Sequence, residues 1–137
     1  MNEKIMVVDD DKDIREVIQV LLSSEGYEVI EASNGREALE LVDDDTDLII
    51  LDVMMPEMNG YQACVLLREK TKAPILFLTA KGQDSDKTLG FSSGGDDYLT
   101  KPFHFEELEA RIRSLTYRNF KQNDTSLKCG EITFDSI

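Results

Sequence analysis

The sequence predicts one α/β domain in which strands and helices alternate around a single parallel sheet. Short apolar runs of strand length recur along the chain, and segments with apolar residues at helical spacing separate them. The run at residues 48–51 is apolar throughout, which is typical of a central parallel strand covered on both faces. The alternation repeats five times, so we expect right-handed crossovers with helices on both sides of the sheet. A chain of 137 residues fits one core of this kind.

The first strand and the first helix have the clearest patterns. Residues 5–8 form the first apolar run. The helix after it has apolar residues at i, i+3, i+4, i+7 and i+8, namely Ile14, Val17, Ile18, Leu21 and Leu22. Asp11 or a neighbouring Asp can cap the start of this helix, where a carboxylate also meets the positive end of the helix dipole. Gly26 ends it.

The second pair of elements is shorter. A strand at residues 28–31 is followed by Asn34 and Glu37, whose spacing of three suits the start of a helix. The third strand, at residues 48–51, leads directly into Asp52. The second helix must therefore lie between these two strands and cross over one face of the sheet.

The third helix and the fourth strand complete the middle of the domain. Turn residues fill the loop that ends at Gly60, and a helix through residues 65–67 follows them. The fourth strand occupies residues 75–78 and leads into Thr79.

The last elements are a loosely anchored helix, a fifth strand and a final helix. The helix at about residues 83–91 has few apolar anchors, and we expect it to be the loosest. Gly94 and Gly95 break it before a strand at residues 96–99. The final helix has four apolar residues at helical spacing, Phe105, Leu108, Ile112 and Leu115.

The residue composition of the chain changes near its C-terminal end. Residues 119–126 are polar and turn-prone, which is typical of a linker. Residues 127–135 have the pattern of one further strand, and a lone terminal strand is rarely stable by itself. We therefore expect the sequence to be a truncated piece of a longer protein.

Composition narrows the function classes. The formal net charge of −13 argues against a nucleic-acid surface on this chain, because phosphate backbones require clusters of Lys and Arg. No apolar run approaches the roughly 20 residues that span a bilayer, and the first residues lack the pattern of a signal peptide. The expected location is therefore cytoplasmic, without membrane contact.

Polar groups follow four of the predicted strands at the point where each strand ends. Asp9 and Asp10 follow the first strand, Asp52 the third, Thr79 the fourth and Lys101 the fifth. The carboxyl ends of parallel strands lie along one edge of the sheet, where ligands bind, so we expect these groups to converge. Carboxylates crowded in this way repel one another unless a cation lies among them. A hard divalent ion with oxygen ligands is the natural occupant.

Four sequence blocks together resemble the receiver domain of bacterial response regulators. They are residues 8–11, 51–60, 78–80 and 95–103, which read VDDD, LDVMMPEMNG, LTA and GDDYLTKPF. The last block is most similar to the OmpR/PhoB subfamily, whose members carry a C-terminal winged-helix DNA-binding domain. The resemblance implies a flavodoxin-like (βα)5 fold with strand order 2-1-3-4-5. It also implies a receiver domain at residues 1–118, a linker at 119–126 and the start of the winged-helix domain at 127–137.

The resemblance assigns roles to the strand-end groups. It implies that Asp52 accepts a phosphoryl group and that Mg²⁺, with Mn²⁺ as the alternative ion, lies beside it. The metal ligands of the family correspond here to Asp9, Asp10, Asp52 and the backbone carbonyl of Met54, with Asp9 acting largely through water. The two groups that stabilise the phosphoryl oxygens correspond to Thr79 and Lys101.

The resemblance also implies how the site communicates with its partners. Thr79 moves toward the phosphoryl group and Tyr98 follows it, while a cis Pro102 and Gly60 have structural roles. The phosphodonor is a sensor histidine kinase, and DNA is bound only through the C-terminal domain that this chain lacks. The face made by the family's fourth helix, fifth strand and fifth helix forms a homodimer after phosphorylation. Its charge pairs correspond to Lys87 with Glu107, Asp97 with Arg111, and Asp96 with Arg118.

Three further classes of protein compete with this interpretation. Phosphatases of the haloacid dehalogenase type also use an aspartate nucleophile, but the acids from Asp9 to Asp13 include an Asp where those enzymes need a Thr. A flavin-binding protein of flavodoxin type would have its phosphate repelled by the acids after the first strand. A receiver-like module that acts without phosphorylation would not need every acceptor-site residue to be present.

Overall fold

Five parallel strands form one sheet in the order β2-β1-β3-β4-β5. The computed structural model describes the backbone of residues 3–80 and 94–123, with side chains as far as residue 117. The strands are β1 (Lys4–Val8), β2 (Glu28–Ala32), β3 (Leu48–Asp52), β4 (Ile75–Ala80) and β5 (Asp97–Lys101). The predicted fold class and strand order are confirmed.

Helices connect the strands, and the first two of them begin at caps that the sequence predicts. They are α1 (Lys12–Ser24), α2 (Gly35–Leu41), α3 (Gly60–Arg68) and a C-terminal helix (Phe105–Asn123). The carboxylate of Asp11 accepts from the amides of residues 13 and 14, and the side chain of Asn34 accepts from the amide of Glu37. Asn59 and Gln62 form a reciprocal capping box at α3. The helix predicted at about residues 83–91 lies outside the described residues.

The C-terminal helix extends beyond residue 119, where the polar composition of the sequence predicts the start of a linker. Its backbone is helical to Asn123, so the first part of the predicted linker at residues 119–126 continues the helix. The polar residues there have adequate helix propensity, so polarity by itself does not mark the end of the helix. The division into receiver domain, linker and output domain stays a prediction.

Two apolar clusters cover the two faces of the sheet. One packs α2 and α3 against alternate residues of β1 and β3, such as Met6 and Ile49. The other packs α1 and the C-terminal helix against the intervening residues of β1 and β3, such as Val7 and Ile50, whose side chains lie on the opposite face of the sheet. Because β1, β3 and β4 are buried on both faces, the positions at which these strands end are held rigidly. Among the helices of the described residues, none has the length and apolar character needed to cross a membrane.

Candidate functional site

The strand-end groups lie at the carboxyl edge of the sheet. Asp9 directly follows β1, Asp52 is the last residue of β3, and Lys101 is the last residue of β5. Thr79 is the next-to-last residue of β4, which lies between β3 and β5. The register pairs Asp52 with Leu78 and Ala80 with Lys101, so the ends of these strands are level with one another.

Three carboxylates converge at this edge and form what we call the acid pocket, made of Asp9, Asp10 and Asp52. Each of them offers one oxygen, and these oxygens all lie within 4.8 Å of one another. Asp9 and Asp52 are buried, whereas Asp10 is exposed. The pocket therefore has two acids fixed in the protein interior and one that faces its mouth.

Lys101 bridges the two buried acids. Its Nζ donates to Oδ2 of Asp9 and to Oδ1 of Asp52, at 3.2 Å in each case. Burial alone would lower the pKa of this ammonium, but the charges of Asp52 and then Asp9 outweigh it and raise the pKa of Lys101 above its ordinary value. Lys101 therefore stays protonated. The peptide bond from Lys101 to Pro102 is cis.

Negative charge exceeds positive charge around Asp52 in the acid pocket. Burial, followed by the charge of Asp9, raises the pKa of Asp52 to about 6, against the opposing effects of Lys101 and of the Met54 amide that donates to the carboxylate. One ammonium cannot fully compensate two buried carboxylates and an exposed one. A further cation at the pocket would favour the ionised form of Asp52.

The donor set of the acid pocket fits a hard divalent cation. Its oxygens come from three carboxylates on two neighbouring strands, and two of them are held by buried residues. Carboxylate oxygens are the usual protein ligands of Mg²⁺, which keeps several of its waters when it binds. The side chain of Met54 is exposed, and its backbone lies two residues beyond Asp52 in the loop that borders the pocket.

The loop between Asp52 and α3 is held tightly against β3. The amide of Gly60 donates to the carbonyl of Val53 at 2.9 Å, and a Cβ on Gly60 would collide with the backbone of Asp52 and Val53. Only glycine fits here without moving the backbone of Asp52. At Glu57 the same loop has a φ of 71°, in the left-handed region, and the amide of Met58 donates to the carbonyl of Pro56 at 2.7 Å. These contacts close a strained three-residue turn.

Thr79 and Tyr98 are both buried, on adjacent strands. The Thr79 hydroxyl donates to the carbonyl of Ala80 at 3.3 Å. The ring of Tyr98 lies against Phe77 with 5.3 Å between ring centroids, and the ring of Tyr61 packs against Phe77 in a T-shaped contact with 5.1 Å between centroids. The tyrosine ring is thus packed inward, on the pair of strands that connects the site to the C-terminal helix.

The residues predicted for a dimer face have partners within one chain. Arg111 donates from Nη1 to both carboxylate oxygens of Asp97 at 3.0 Å. Oδ2 of Asp96 accepts from Nη2 of Arg68 at 2.7 Å and from the amide of Ile75 at 2.9 Å. The carboxylate of Glu107 accepts from the amide of His104 at 3.1 Å and so caps the C-terminal helix. Lys87 and the side chain of Arg118 lie outside the described residues.

Two arginines that the sequence did not single out have central places in the structure. Arg15 donates to the carbonyl of Asp9 at 2.6 Å, directly beside the acid pocket. Arg68 donates to three backbone carbonyls, those of Thr71, Ala73 and Gly94, as well as to Asp96. Both arginines interrupt otherwise apolar helix faces, and this is the only signal in the sequence that marks them.

A parallel sheet with polar groups converging at its carboxyl edge defines an α/β domain whose ligand site lies outside the strand ends. The sequence pattern of the response regulator receiver domain matches residues 5–113. The chain therefore belongs to the response regulator receiver domain family.

Curated relatives of the chain include bacterial transcriptional regulatory proteins. The chain is 44% identical over 135 residues to the uncharacterized transcriptional regulatory protein YrkP of Bacillus subtilis, covering 95% of this chain and 58% of YrkP. It is 47% identical over 116 residues to the transcriptional regulatory protein CpxR of Escherichia coli K12, covering 85% of this chain and 50% of CpxR. The chain spans about half the length of the curated relatives it matches.

Solved structures of receiver domains have the same fold. The receiver domain of the Francisella response regulator 1452 is 38% identical with a TM-score of 0.79, over 86% of this chain and 99% of that one. The response regulator TrrA of Thermotoga maritima, in complex with Mg²⁺ and BeF, is 38% identical with a TM-score of 0.74, over 84% of this chain and 99% of that one. The receiver-domain interpretation is confirmed, and a phosphatase, a flavin-binding protein and a phosphorylation-independent module are not favoured.

Proposed function

We propose that the domain is a Mg²⁺-dependent phospho-acceptor switch in which Asp52 takes the phosphoryl group. The observation that carries this proposal is the position of Asp52, a buried carboxylate with the acid pocket on one side and the ammonium of Lys101 at 3.2 Å on the other. A nucleophile for phosphorus needs both neighbours, since repulsion between anions is the main obstacle to attack. Mn²⁺ is the alternative ion.

The transfer is a displacement at phosphorus. An oxygen of Asp52 forms the new P–O bond as the P–N bond to the histidine of the donor breaks, and the departing imidazole keeps that electron pair and takes up a proton. Asp52 must be ionised to attack, and its pKa of about 6 leaves it ionised near neutral pH. The product is an aspartyl phosphate.

Two groups of this chain act on the phosphoryl oxygens, and four more would hold the metal ion beside them. Lys101 pairs with one of them by exchanging its contact with Asp52, and the Thr79 hydroxyl donates to another in place of the Ala80 carbonyl. Asp9, Asp10, Asp52 and the carbonyl of Met54 would hold Mg²⁺, which supplies positive charge to the phosphoryl oxygens when bound. The binding of Mg²⁺ and BeF by TrrA supports this assignment.

Partners follow from the same assignment. The donor is a sensor histidine kinase, and the output is control of transcription through a C-terminal DNA-binding domain, as the names of the relatives support. The expected location is the cytoplasm. Movement of Thr79 and Tyr98 changes the packing of the face that includes Asp97 and Arg111, and this face then forms a homodimer. Its cross-subunit pairs are Lys87 with Glu107, Asp97 with Arg111 and Asp96 with Arg118.

Mass spectrometry tests the acceptor. The protein is incubated with Mg²⁺ and acetyl phosphate, and intact mass is measured for the wild type, for Asp52→Asn and for Asp44→Asn, an exposed acid away from the site. The wild type and Asp44→Asn gain one phosphoryl group, whereas Asp52→Asn gains none. A gain that does not depend on Mg²⁺, or that survives Asp52→Asn, contradicts the proposal. Repeated turnover of varied phosphomonoesters would instead identify a phosphatase.

Light scattering tests the dimer. The protein is measured at about 100 μM, where a dimer worth about 6 kcal/mol is well populated, with and without beryllofluoride. We expect a monomer without it and a dimer with it. Arg111→Glu, which places like charges at Asp97, should remain monomeric in both conditions. A wild type that stays monomeric with beryllofluoride contradicts the dimer and leaves the acceptor role intact.

A further inference from the structure

Arg15 lies beside the acid pocket without touching its carboxylates. This residue is in the first turns of α1, and its side chain is only 14% exposed. Nη1 donates to the backbone carbonyl of Asp9 at 2.6 Å, and Nε donates to Oε1 of Glu31 at 3.3 Å. The guanidinium thus joins α1, the end of β1 and the end of β2.

Every polar group of Asp9 is held by a different part of the fold. Its amide donates to the carbonyl of Ala32 at 3.1 Å, and Oδ1 accepts from the amide of Asp11 at 2.9 Å. Oδ2 accepts from Lys101. The remaining group, the carbonyl, belongs to the peptide that leads into Asp10, and its partner is Arg15.

Asp10 depends on that peptide for its orientation. Within the described residues its exposed carboxylate has no hydrogen bond or ion pair of its own. The direction of this side chain is therefore set by its backbone, and rotation of the peptide between Asp9 and Asp10 would swing the carboxylate out of the acid pocket. The charge-assisted bond from Arg15 opposes this rotation.

We propose that Arg15 is a positioning residue that fixes the Asp9 carbonyl and thereby orients the Asp10 carboxylate toward a bound divalent cation. This inference rests on the proposed Mg²⁺ site. Glu31 completes the arrangement, because its carboxylate pairs with Arg15 and reduces the repulsion between the guanidinium and the cation. Groups that orient metal ligands from outside the coordination sphere typically change metal affinity by about 10- to 100-fold when they are removed.

The sign of the effect separates positioning from electrostatics. Removal of a positive charge near a cation site tightens cation binding if charge alone matters. Loss of the bond to Asp9 weakens binding, because Asp10 is no longer oriented. Arg15→Gln removes both the charge and the bond, whereas Lys12→Gln removes an exposed charge three residues earlier on the same helix.

The experiment measures the Mg²⁺ dissociation constant by titration of amide resonances in the nitrogen-15 labelled protein. We expect Arg15→Gln to raise the constant about 10-fold, Lys12→Gln to leave it unchanged or lower, and Arg15→Lys to fall between Arg15→Gln and the wild type. At saturating Mg²⁺, the extent of Asp52 phosphorylation in Arg15→Gln should recover to that of the wild type.

Each other outcome overturns the inference. Equal or tighter Mg²⁺ binding by Arg15→Gln means that the residue does not position Asp10. Where Arg15→Gln does not fold, Arg15→Lys decides alone, and an unchanged constant for that variant overturns the proposal. A wild type that binds no Mg²⁺ overturns both this inference and the proposed function, whereas a failure limited to the variants leaves the proposed function standing.

Discussion

The ammonium of Lys101 lies 3.2 Å from the carboxylate of Asp52, at the same distance as from Asp9. It therefore supplies positive charge to the acid pocket before any metal ion binds. A divalent cation held by the acid pocket would use oxygens of the same buried acids, so its binding would be coupled to the contacts of Lys101. The stability of the domain would then depend on both cations.

Removal of Lys101 should destabilise the Mg²⁺-free domain. Lys101→Gln leaves two buried carboxylates without their cation, and we expect a loss of about 3 kcal/mol in the free energy of unfolding at pH 7.5. Urea denaturation measures this loss, and added Mg²⁺ should restore part of it. Lys72→Gln, an exposed lysine beyond the opposite end of the sheet, serves as the control and should change stability by under about 0.5 kcal/mol. Equal stability of the two variants would contradict the prediction.

Ionisation of Asp52 should reduce stability as the pH rises. The folded-state pKa of about 6 lies above the ordinary value of 3.8, so the native state binds this proton more tightly than the unfolded chain does. The favourable contribution is present at low pH and is lost between about pH 4 and pH 6. An asparagine at this position does not ionise, so Asp52→Asn keeps this contribution at every pH. Its free energy of unfolding should exceed that of the wild type by roughly 1–3 kcal/mol at pH 7.5 without Mg²⁺.

Urea denaturation across this pH range measures the difference between Asp52→Asn and the wild type. We expect the difference to shrink toward zero near pH 4 and to stay constant above about pH 7. Mg²⁺ at pH 7.5 should stabilise the wild type more than Asp52→Asn, because the variant lacks one metal ligand. A difference that is the same at all pH values would mean that Asp52 does not titrate in this range.

Two glycines at equivalent helix positions should respond differently to alanine. Gly60 and Gly35 are the first residues of α3 and α2. A Cβ on Gly60 meets the backbone of Asp52 and Val53, whereas a Cβ on Gly35 first meets the flexible end of Met58, 2.7 Å from its sulfur. We expect Gly60→Ala to reduce the free energy of unfolding by about 1–3 kcal/mol and to slow phosphorylation of Asp52.

Gly35→Ala is the matched control for that substitution. The end of the methionine side chain can move, so we expect a loss below about 1 kcal/mol and an unchanged rate of phosphorylation. Chemical denaturation and the acetyl phosphate assay give the two measurements. Equal effects of the two alanines would show that the close approach of Gly60 to Asp52 affects neither stability nor the rate of phosphorylation more than an ordinary helix start does.

Two arginines of the β5 region should differ in their contribution to stability. Arg68 donates to Asp96 and to carbonyls at the start of β4 and in the 94–96 segment, and its side chain is 25% exposed. Among the described residues Arg111 pairs with Asp97 alone, and its side chain is 47% exposed. We expect Arg68→Gln to reduce stability by about 2 kcal/mol and Arg111→Gln by under about 1 kcal/mol.

The ionic strength dependence of these two variants gives a second comparison. High salt screens an exposed pair, so the small effect of Arg111→Gln should disappear in it. The effect of Arg68→Gln should persist, because most of its bonds go to backbone carbonyls. Loss of the Arg68 effect in high salt would mean that the charge of Asp96 alone explains it.

The sequence predicted the framework of the site because the relevant positions obey a strong rule. Asp9, Asp52, Thr79 and Lys101 each lie at or directly beside the carboxyl end of a strand, and parallel strands bring their ends together. The same reasoning could not identify Arg15 or assign its bond to the Asp9 carbonyl, since that contact depends on the angle at which α1 packs against the sheet. Sequence spacing specifies which face a residue occupies and not which carbonyl its side chain reaches.

Two further differences have similar physical causes. Glu57 has a positive φ although glycine is the usual residue for that conformation, because the surrounding loop is fixed at both ends by β3 and by the cap of α3. Asp96 and Asp97, predicted as cross-dimer partners, also have intrachain partners in Arg68 and Arg111. A surface charge can satisfy either kind of contact, and sequence alone does not distinguish between them.

The cluster of Tyr61, Phe77 and Tyr98 gives the domain an intrinsic spectroscopic signal. The chain has four tyrosines and no tryptophan, so its near-ultraviolet circular dichroism comes from tyrosine with a smaller part from phenylalanine. Two of those tyrosines, Tyr61 and Tyr98, are buried and each packs against Phe77. Rearrangement of Tyr98 is therefore observable in the unlabelled protein, at the junction where the phosphorylation site would pass its signal to the surface.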